Sequence, residues 1–84
     1  MSIVEALKEK RAELKAVCED GIEDCIESGE FSFTIFAISI EEGKMYKDCL
    51  LEINQEMKGS GYHLKFESKE REKDAQFTVY VEAD

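Results

Sequence analysis

The first third of the chain carries one continuous helical repeat, and this repeat constrains the fold more than any other feature. Its apolar residues recur at helical spacing along one stripe, and its acidic residues cluster on the opposite side. The stripe consists of Val4, Leu7, Leu14, Cys18, Ile22 and Cys25. Ser2 and Glu5 have the spacing of a capping box, and Gly29 is suited to end a helix. We therefore predict a helix over about 2–28, and the remaining two thirds of the chain must cover its apolar stripe.

Gly21 lies inside this predicted helix, where a glycine costs about 1 kcal/mol relative to alanine. We expect the close approach of another backbone to compensate for that cost. A break of the helix at 20–21 is the alternative.

The rest of the chain alternates between strand and helix patterns. Period-two alternation predicts a strand over about 31–38, with one face formed by Phe31, Phe33, Ile35 and Ala37. Helical spacing predicts a second helix over about 41–58, with Ser39 and Glu42 as its capping box. Two alternating segments predict a hairpin over about 62–82. Its connection, residues 68–75, is almost wholly charged and is predicted to be a solvated tip.

The element order α-β-α-β-β defines the fold class. The 84 residues suffice for a single domain, 1–84. Two amphipathic helices are available to cover one face of a three-stranded sheet, so we predict a two-layer α+β domain. With a right-handed crossover, the first two strands would run parallel with the third between them, and an all-antiparallel order is the alternative.

The chain lacks the residue patterns of familiar catalytic and metal sites. His63 is the single histidine, and no nucleophile elbow or paired metal-binding histidines accompany it. The three cysteines have no Cys-x-x-Cys spacing and are interpreted as small core residues. The Gly59–Gly61 turn follows a helix instead of preceding one, which is the wrong end for binding phosphate. We predict no catalytic, metal-binding or cofactor-binding residue and no enzyme activity.

The charge balance restricts the class of partner. Twenty acidic residues against eleven Lys and Arg give a net charge of −9 at pH 7. Such a charge repels nucleic-acid phosphates and anionic lipid and favours a protein partner with a basic surface. The longest apolar stretch, 33–40, is far shorter than the roughly 20 residues of a membrane span. The charged N-terminus does not resemble a signal peptide, so we predict a cytoplasmic protein.

The acidic residues are concentrated in one stretch. Residues 16–43 contain eight Asp and Glu and no Lys or Arg. Along the predicted helix they form an acidic ridge, for which we predict partner-binding residues Asp20, Glu23, Asp24 and Glu27. A solvated outer face without a function is the alternative.

A second candidate surface is the sheet face away from the helices. If Ser32 and Thr34 lie on that face, Phe36 and Ile38 should lie there too, joined by Tyr80. Exposed aromatic and aliphatic side chains on a sheet face are typical of an interface, so we predict partner binding through Phe36, Ile38 and Tyr80. The alternative is that the strand ends near Phe36 and these residues join the core.

The length of the first helix predicts self-association. A helix over 2–28 would be about 40 Å long, whereas strands of this size give a sheet of only about 20–26 Å. We expect the first three turns to overhang and to form a homo-oligomer interface with the residues Ile3, Val4, Leu7 and Leu14. Arg11 would lie at the edge of that interface, paired across it with Glu5 or Glu9. A first half folded back at Gly21 is the alternative.

The layout also resembles short, mostly uncharacterised proteins of bacteriophages and bacterial genomes. Their long first helix ends near an Ile-x-x-Ala-x-x-Gly-Glu segment, and a Gly-Tyr pair closes their second helix. The corresponding residues here are Ile22-Glu-Asp-Cys-Ile-Glu-Ser-Gly29-Glu30 and Gly61-Tyr62-His63-Leu64-Lys65. The resemblance implies a phage or mobile-element origin and action in the host cytoplasm, and it implies no activity.

Together these observations predict a small acidic, non-enzymatic protein-interaction module that binds a host or phage protein. One alternative is a self-assembling structural or virion component whose partner is itself. Another is an acidic nucleic-acid mimic that inhibits a DNA-binding enzyme.

Overall fold

Helix α1 runs unbroken through Ile3–Ser28 because its caps and its apolar stripe agree along the whole length. Ser2 Oγ accepts a hydrogen bond from Glu5 N at 3.1 Å, and Gly29 ends the helix with a left-handed φ of 77°. The structure is a computed structural model that describes residues 2–84. In it α1 is followed by strand β1 (Ser32–Ala37), helix α2 (Ile40–Glu56), strand β2 (Tyr62–Glu70) and strand β3 (Ala75–Ala83).

The three strands form one sheet in the order β1-β3-β2. Both edge strands pair antiparallel with β3, with Ser32 opposite Tyr80 in one ladder and Lys65 opposite Tyr80 in the other. The edge strands therefore run parallel to each other with β3 between them. Both helices pack on one face of this sheet, which confirms the predicted two-layer α+β fold and its element order.

The core lies between the helices and the sheet. Its fully buried side chains come from α1, α2 and the central strand, and they are Cys18, Cys49, Leu50 and Val79. All three cysteines are buried thiols, and burial raises the pKa of Cys18 to about 12. The predicted role of the cysteines as small core residues is consistent with this burial, because a thiol held in its neutral form is a poor nucleophile and metal ligand.

The close approach predicted at Gly21 exists, but a side chain makes it instead of a backbone. A Cβ built on Gly21 would lie 2.5 Å from Cε2 of Phe33, so the Phe33 ring occupies the space that a side chain would need. Glycine thus lets α1 settle onto β1, and the alternative of a break at 20–21 is wrong.

The second helix begins as its capping box predicts. Ser39 Oγ accepts a hydrogen bond from Glu42 N at 3.1 Å. The Glu42 carboxylate lies near Ile38 N, at 3.4 Å, and forms an ion pair with Lys10 of α1 at 3.1 Å. This buried carboxylate therefore joins the end of β1, the start of α2 and α1.

Two predictions, on Leu14 and on the hairpin connection, are wrong. Leu14 is only 4% exposed, because α1 already packs against α2 at this turn, so the overhang is shorter than expected. Phe31 precedes β1 and lies on the helix side of the sheet, as predicted, in a groove with Cys25 and Val81, but at 72% exposure it is not part of the core. The hairpin connection is residues 71–74 and not 68–75, because the charged end of β2 still pairs with β3 as far as Glu70.

Candidate protein-interaction surface

Strand β1 is an edge strand whose outward backbone groups have no partner in the described structure. Val81 N donates to Phe31 O at 2.9 Å, so this residue pair is a hydrogen-bonded one. Such pairs alternate along an antiparallel ladder, so residues 33, 35 and 37 bond to β3 in the same way. The N–H and C=O groups of Ser32, Thr34 and Phe36 therefore point away from the sheet. Among residues 2–84, no other group forms a hydrogen bond with these six.

The opposite edge, β2, is partly closed by side chains. Asn54 Oδ1 of α2 accepts a hydrogen bond from Leu64 N at 2.9 Å. Ser60 Oγ accepts one from Tyr62 N at 3.3 Å. The rest of β2 carries side chains of both charges, namely Lys65, Glu67, Lys69 and Glu70. Capping groups and edge charges are the devices by which sheet edges avoid pairing with other chains.

The four predicted residues of the acidic ridge, Asp20, Glu23, Asp24 and Glu27, are all exposed. So are three further acids of the stretch 16–43, which are Glu19, Glu30 and Glu41. Within residues 2–84, none of these seven carboxylates forms an ion pair. The eighth acid, Glu42, is the buried one that pairs with Lys10.

The acids in the second half of α2 behave differently, because the basic residues of α1 neutralise them. Arg11 pairs with Glu52 at 2.9 Å, and Lys15 pairs with Glu52 at 3.1 Å and with Glu56. The hydrogen bond from Arg11, together with that from Lys15, lowers the pKa of Glu52. Within the chain, the carboxylate partners of Arg11 are Glu52 and the more distant Asp48, and its pairing with Glu5 or Glu9 of a second copy stays a prediction.

The position of α1 places part of its acidic surface beside the free edge of β1. Gly21 faces Phe33 of β1, while Arg11 and Lys15 lie on the side of α1 that faces α2. At 100° per residue, Val17 and Asp24 are rotated about 40° and 60° from Gly21 around the helix axis, in the sense opposite to Arg11 and Lys15. They therefore lie on the flank of α1 that faces away from α2. Because β1 is the last strand on that side, this flank borders its free edge.

The structure separates the three residues predicted on the open sheet face. Phe36 and Ile38 are 66% and 79% exposed and adjoin one another at the end of β1. Tyr80 is half-buried and lies opposite Ser32, four residues farther along the ladder from Phe36. Phe36 and Tyr80 thus share the face, with the Thr34–Thr78 pair between them. The prediction of exposure is confirmed for Phe36 and Ile38, and the three do not form one patch.

The N-terminal overhang of α1 leaves an apolar patch. Ile3 and Val4 are 80% and 61% exposed, and Leu7 is also exposed. A groove of about 330 Å³ lies between Val4, Leu7 and Met45 of α2. Three of the four predicted oligomer residues are therefore available for contact, and Leu14 is not.

The remaining features are a histidine that contacts two carboxylates and a groove beside β2. His63 lies 2.8 Å from Asp84 Oδ1 and 3.1 Å from Glu82 Oε1, and these hydrogen bonds, that to Asp84 first, raise its pKa. A groove of about 630 Å³ lies beside β2 and is lined by side chains of both charges, among them Lys65 and Glu82. Within residues 2–84, His, Cys, Asp and Glu form no cluster suited to a metal ion, and no helix has the length and apolar character to cross a membrane.

The sequence-based interpretation missed the backbone of β1 as a candidate site. The predicted strand order already placed β1 at an edge, and its residues 32–37 carry no charge. These two facts together were a signal that this edge is unprotected. Val17 was also missed, because an isolated valine beside a helix stripe is indistinguishable from a core residue by spacing.

Comparison of the chain with protein-family models, with curated proteins and with solved structures finds no match.

Proposed function

We propose that this chain is a small acidic, non-enzymatic protein-interaction module that binds a partner with a basic surface. The observation that supports it best is the contrast between the two groups of acids. The α2 carboxylates Glu52 and Glu56 are neutralised within the fold, whereas the seven exposed carboxylates of residues 16–43 have no cationic partner among the described residues. Unpaired charge of one sign attracts a partner of the opposite sign and accelerates association.

The proposed partner is a protein of the host or of a phage, in keeping with the resemblance to phage proteins. The acidic ridge would determine how fast the partner associates, and the exposed apolar residues Phe36 and Ile38 would slow its dissociation. A nucleic-acid mimic remains a special case of this function, in which the basic partner is a DNA-binding enzyme and DNA competes for it.

The proposal is tested by affinity purification from a bacterial lysate with three forms of the protein. The first is the wild type and the second is the ridge variant Asp20→Asn, Glu23→Gln, Asp24→Asn, Glu27→Gln. The third is a control with the same change in net charge, at the exposed acids Glu5, Glu67, Glu70 and Glu72. The module predicts a protein that the wild type and the control retain and the ridge variant loses.

The association rate of the captured protein should then fall with salt for the wild type and depend on salt much less for the ridge variant. Equal association rates for the ridge variant and the control would remove the ridge from the function. Displacement of the captured protein by DNA would identify the nucleic-acid mimic.

Self-association is a second candidate, and the exposed overhang of α1 supports it. Burying a side chain such as Ile3 or Val4 is worth roughly 1.5–3 kcal/mol, so two overhangs paired symmetrically could hold a dimer. Light scattering coupled to size exclusion should show a dimer that Leu7→Glu converts to a monomer. A 9.6 kDa particle at tens of micromolar wild-type protein would exclude this candidate.

A further inference from the structure

We propose that the free edge of β1 is a strand-addition site, at which an extended basic segment of the partner pairs with Ser32–Phe36 and becomes a fourth strand of the sheet. This inference takes the basic character of the partner from the proposed function. It adds where the partner binds, in what conformation, and which side chains the bound segment should carry.

The backbone of β1 supplies the recognition groups. The N–H and C=O groups of Ser32, Thr34 and Phe36 give three donors and three acceptors along one edge, two residues apart. This spacing is the one that an added strand requires, and main-chain hydrogen bonds of this kind provide much of the affinity when a peptide extends a sheet.

The sequence of β1 contains none of the features that prevent such pairing. Residues 32–37 include no Lys, Arg, Asp, Glu or Pro. The register with β3 advances one residue at a time from Ser32–Tyr80 to Ala37–Ala75, so no bulge twists the edge away. Edges that must stay unpaired usually have at least one of these features, and an uncharged regular edge is a template for another strand.

The acidic flank of α1 specifies the charge of the added strand. Val17 is exposed on that flank, and Asp20 and Asp24 lie beside it. An added strand would pass below this flank with alternate side chains pointing toward it. Lys or Arg at those positions would place their aliphatic stems on Val17 and their charges near the two carboxylates.

The open face of the added strand has a different requirement. Its side chains there would lie beside Ser32, Thr34 and Phe36, of which Phe36 presents an exposed ring. An apolar or β-branched residue next to Phe36 would cover that ring and form a favourable pair across the strands. The bound segment should therefore alternate basic residues with apolar or β-branched ones.

A second copy of this chain fits the edge less well than a basic segment. An antiparallel pair centred on Thr34 would align the β1 edges of two copies, but it would also bring their acidic α1 flanks toward each other. Each chain has a net charge of −9. Like charges at a contact are unfavourable, whereas a basic strand removes the repulsion already present among the unpaired acids.

The experiment uses the full chain, labelled for NMR, and two synthetic nine-residue peptides. One peptide alternates lysine with valine and threonine, and its counterpart has glutamate in place of every lysine. The lysine peptide should slow amide hydrogen exchange most at Ser32, Thr34 and Phe36, and the glutamate peptide should leave their exchange unchanged.

Two proline variants distinguish binding at the β1 edge from binding at the β2 edge. Thr34→Pro removes an outward N–H of β1 without removing a bond to β3, and proline is tolerated at such edge positions. Ser68→Pro is the matched control, since its N–H points outward from β2 in the same way. The lysine peptide should bind Thr34→Pro about tenfold more weakly than Ser68→Pro, the factor expected for one lost main-chain hydrogen bond.

A third variant, Phe36→Lys, keeps the backbone and places a charge on the edge, which should also weaken binding of the lysine peptide. It tests the site if Thr34→Pro proves unfolded by circular dichroism. Equal affinities for Phe36→Lys and the wild type would then overturn the inference.

The remaining outcomes distinguish this inference from the proposed function. Binding that the ridge variant weakens and that Thr34→Pro and Phe36→Lys leave unchanged overturns strand addition and leaves the basic partner intact. If both peptides bind equally at the β1 amides, the added strand need not be basic. The acidic ridge then no longer supports the proposed basic partner. Slow exchange of the β1 amides in concentrated protein alone identifies a second copy as the occupant and overturns the inference.

Discussion

The two edges of the sheet differ in how far their outward backbone groups are protected from pairing with another strand. On β2, the side chain of Asn54 accepts a hydrogen bond from the N–H of Leu64, and the residues after Leu64 carry charges of both signs. On β1, no described group meets the outward N–H and C=O groups, and the strand carries no charge. Protection of β2 shows that this small domain has the means to close an edge. The open state of β1 is therefore a specific property of that strand and not a general property of the fold.

The helices extend the same contrast. Ion pairs of Arg11 and Lys15 with Glu52 and Glu56 neutralise the surface where α1 meets α2. On the flank of α1 beside β1, Asp20 and Asp24 have no cationic partner among the described residues, and Lys10, farther toward the N-terminus, is paired with Glu42. On the β1 side, the outward backbone groups and the exposed acids both lack partners among the described residues. On the side of β2 and α2, part of the backbone edge is capped and the acids Glu52 and Glu56 are paired.

The largest expected effect is a difference in stability between substitutions on the two faces of β1. Ile35 is buried against the helices, so Ile35→Ala should lower the free energy of unfolding by about 2–5 kcal/mol. Phe36→Ala removes a larger side chain that is exposed, and its effect should stay within about 0.5 kcal/mol. Urea denaturation of both variants measures the difference. A loss for Phe36→Ala as large as for Ile35→Ala would mean that the Phe36 ring is part of the core, and the β1 edge would lose its exposed apolar contact.

A smaller effect is expected from opening the protected edge. Asn54→Ala leaves the N–H of Leu64 without its acceptor, which should cost about 1 kcal/mol of stability. Amide exchange at Leu64 should accelerate in parallel. Gln55→Ala is the control, because the neighbouring Gln55 is exposed and its side chain closes no edge. Similar losses of stability for the two variants would contradict the role of Asn54 in protecting β2.

Much of the architecture was predictable because hydrophobic period and caps act locally. The stripe of α1, the Ser2 and Ser39 caps and the alternation of β3 each specify an element without reference to the others. The observed strand order was one of the two arrangements left open, the one that the connection rule for crossovers gives. The exposure of the acidic ridge followed from the same helical period that buries Cys18.

The errors concern residues whose environment another element determines. Helical spacing placed Leu14 on the apolar stripe, but it did not show that α2 reaches that turn of α1. The partner of Arg11 within the chain, which helical spacing did not show either, depends on where Glu52 lies. Gly21 was recognised as a point of close approach, yet only the packing of β1 against α1 reveals the Phe33 ring there. Phe36, Ile38 and Tyr80 do not form one continuous patch, because residues that share a sheet face can still lie several residues apart along the strands.

The smallest predicted effect concerns pH, which should act on the β2 side of the sheet and not on β1. His63 of β2 contacts Asp84 and Glu82, and Glu82 also pairs with Lys65 at 3.2 Å. The two carboxylates, Asp84 before Glu82, raise the pKa of His63 above its ordinary value of 6.5. The folded protein therefore binds this proton more tightly than the unfolded chain does.

The resulting stabilisation should be complete below pH 6.5 and disappear as the pH rises through the folded-state pKa of His63. Asp84→Asn removes the main cause, so an NMR titration should show a lower His63 pKa in that variant than in the wild type. The stability difference between the wild type and His63→Gln should shrink between pH 6 and 8, and it should be small because the group is exposed to solvent. Amide exchange at Ser32 and Thr34, corrected for its intrinsic pH dependence, should not follow this titration, because residues 32–37 contain no titratable group. A pH-linked change confined to β1 would show that the two edges are coupled and would break the contrast between them.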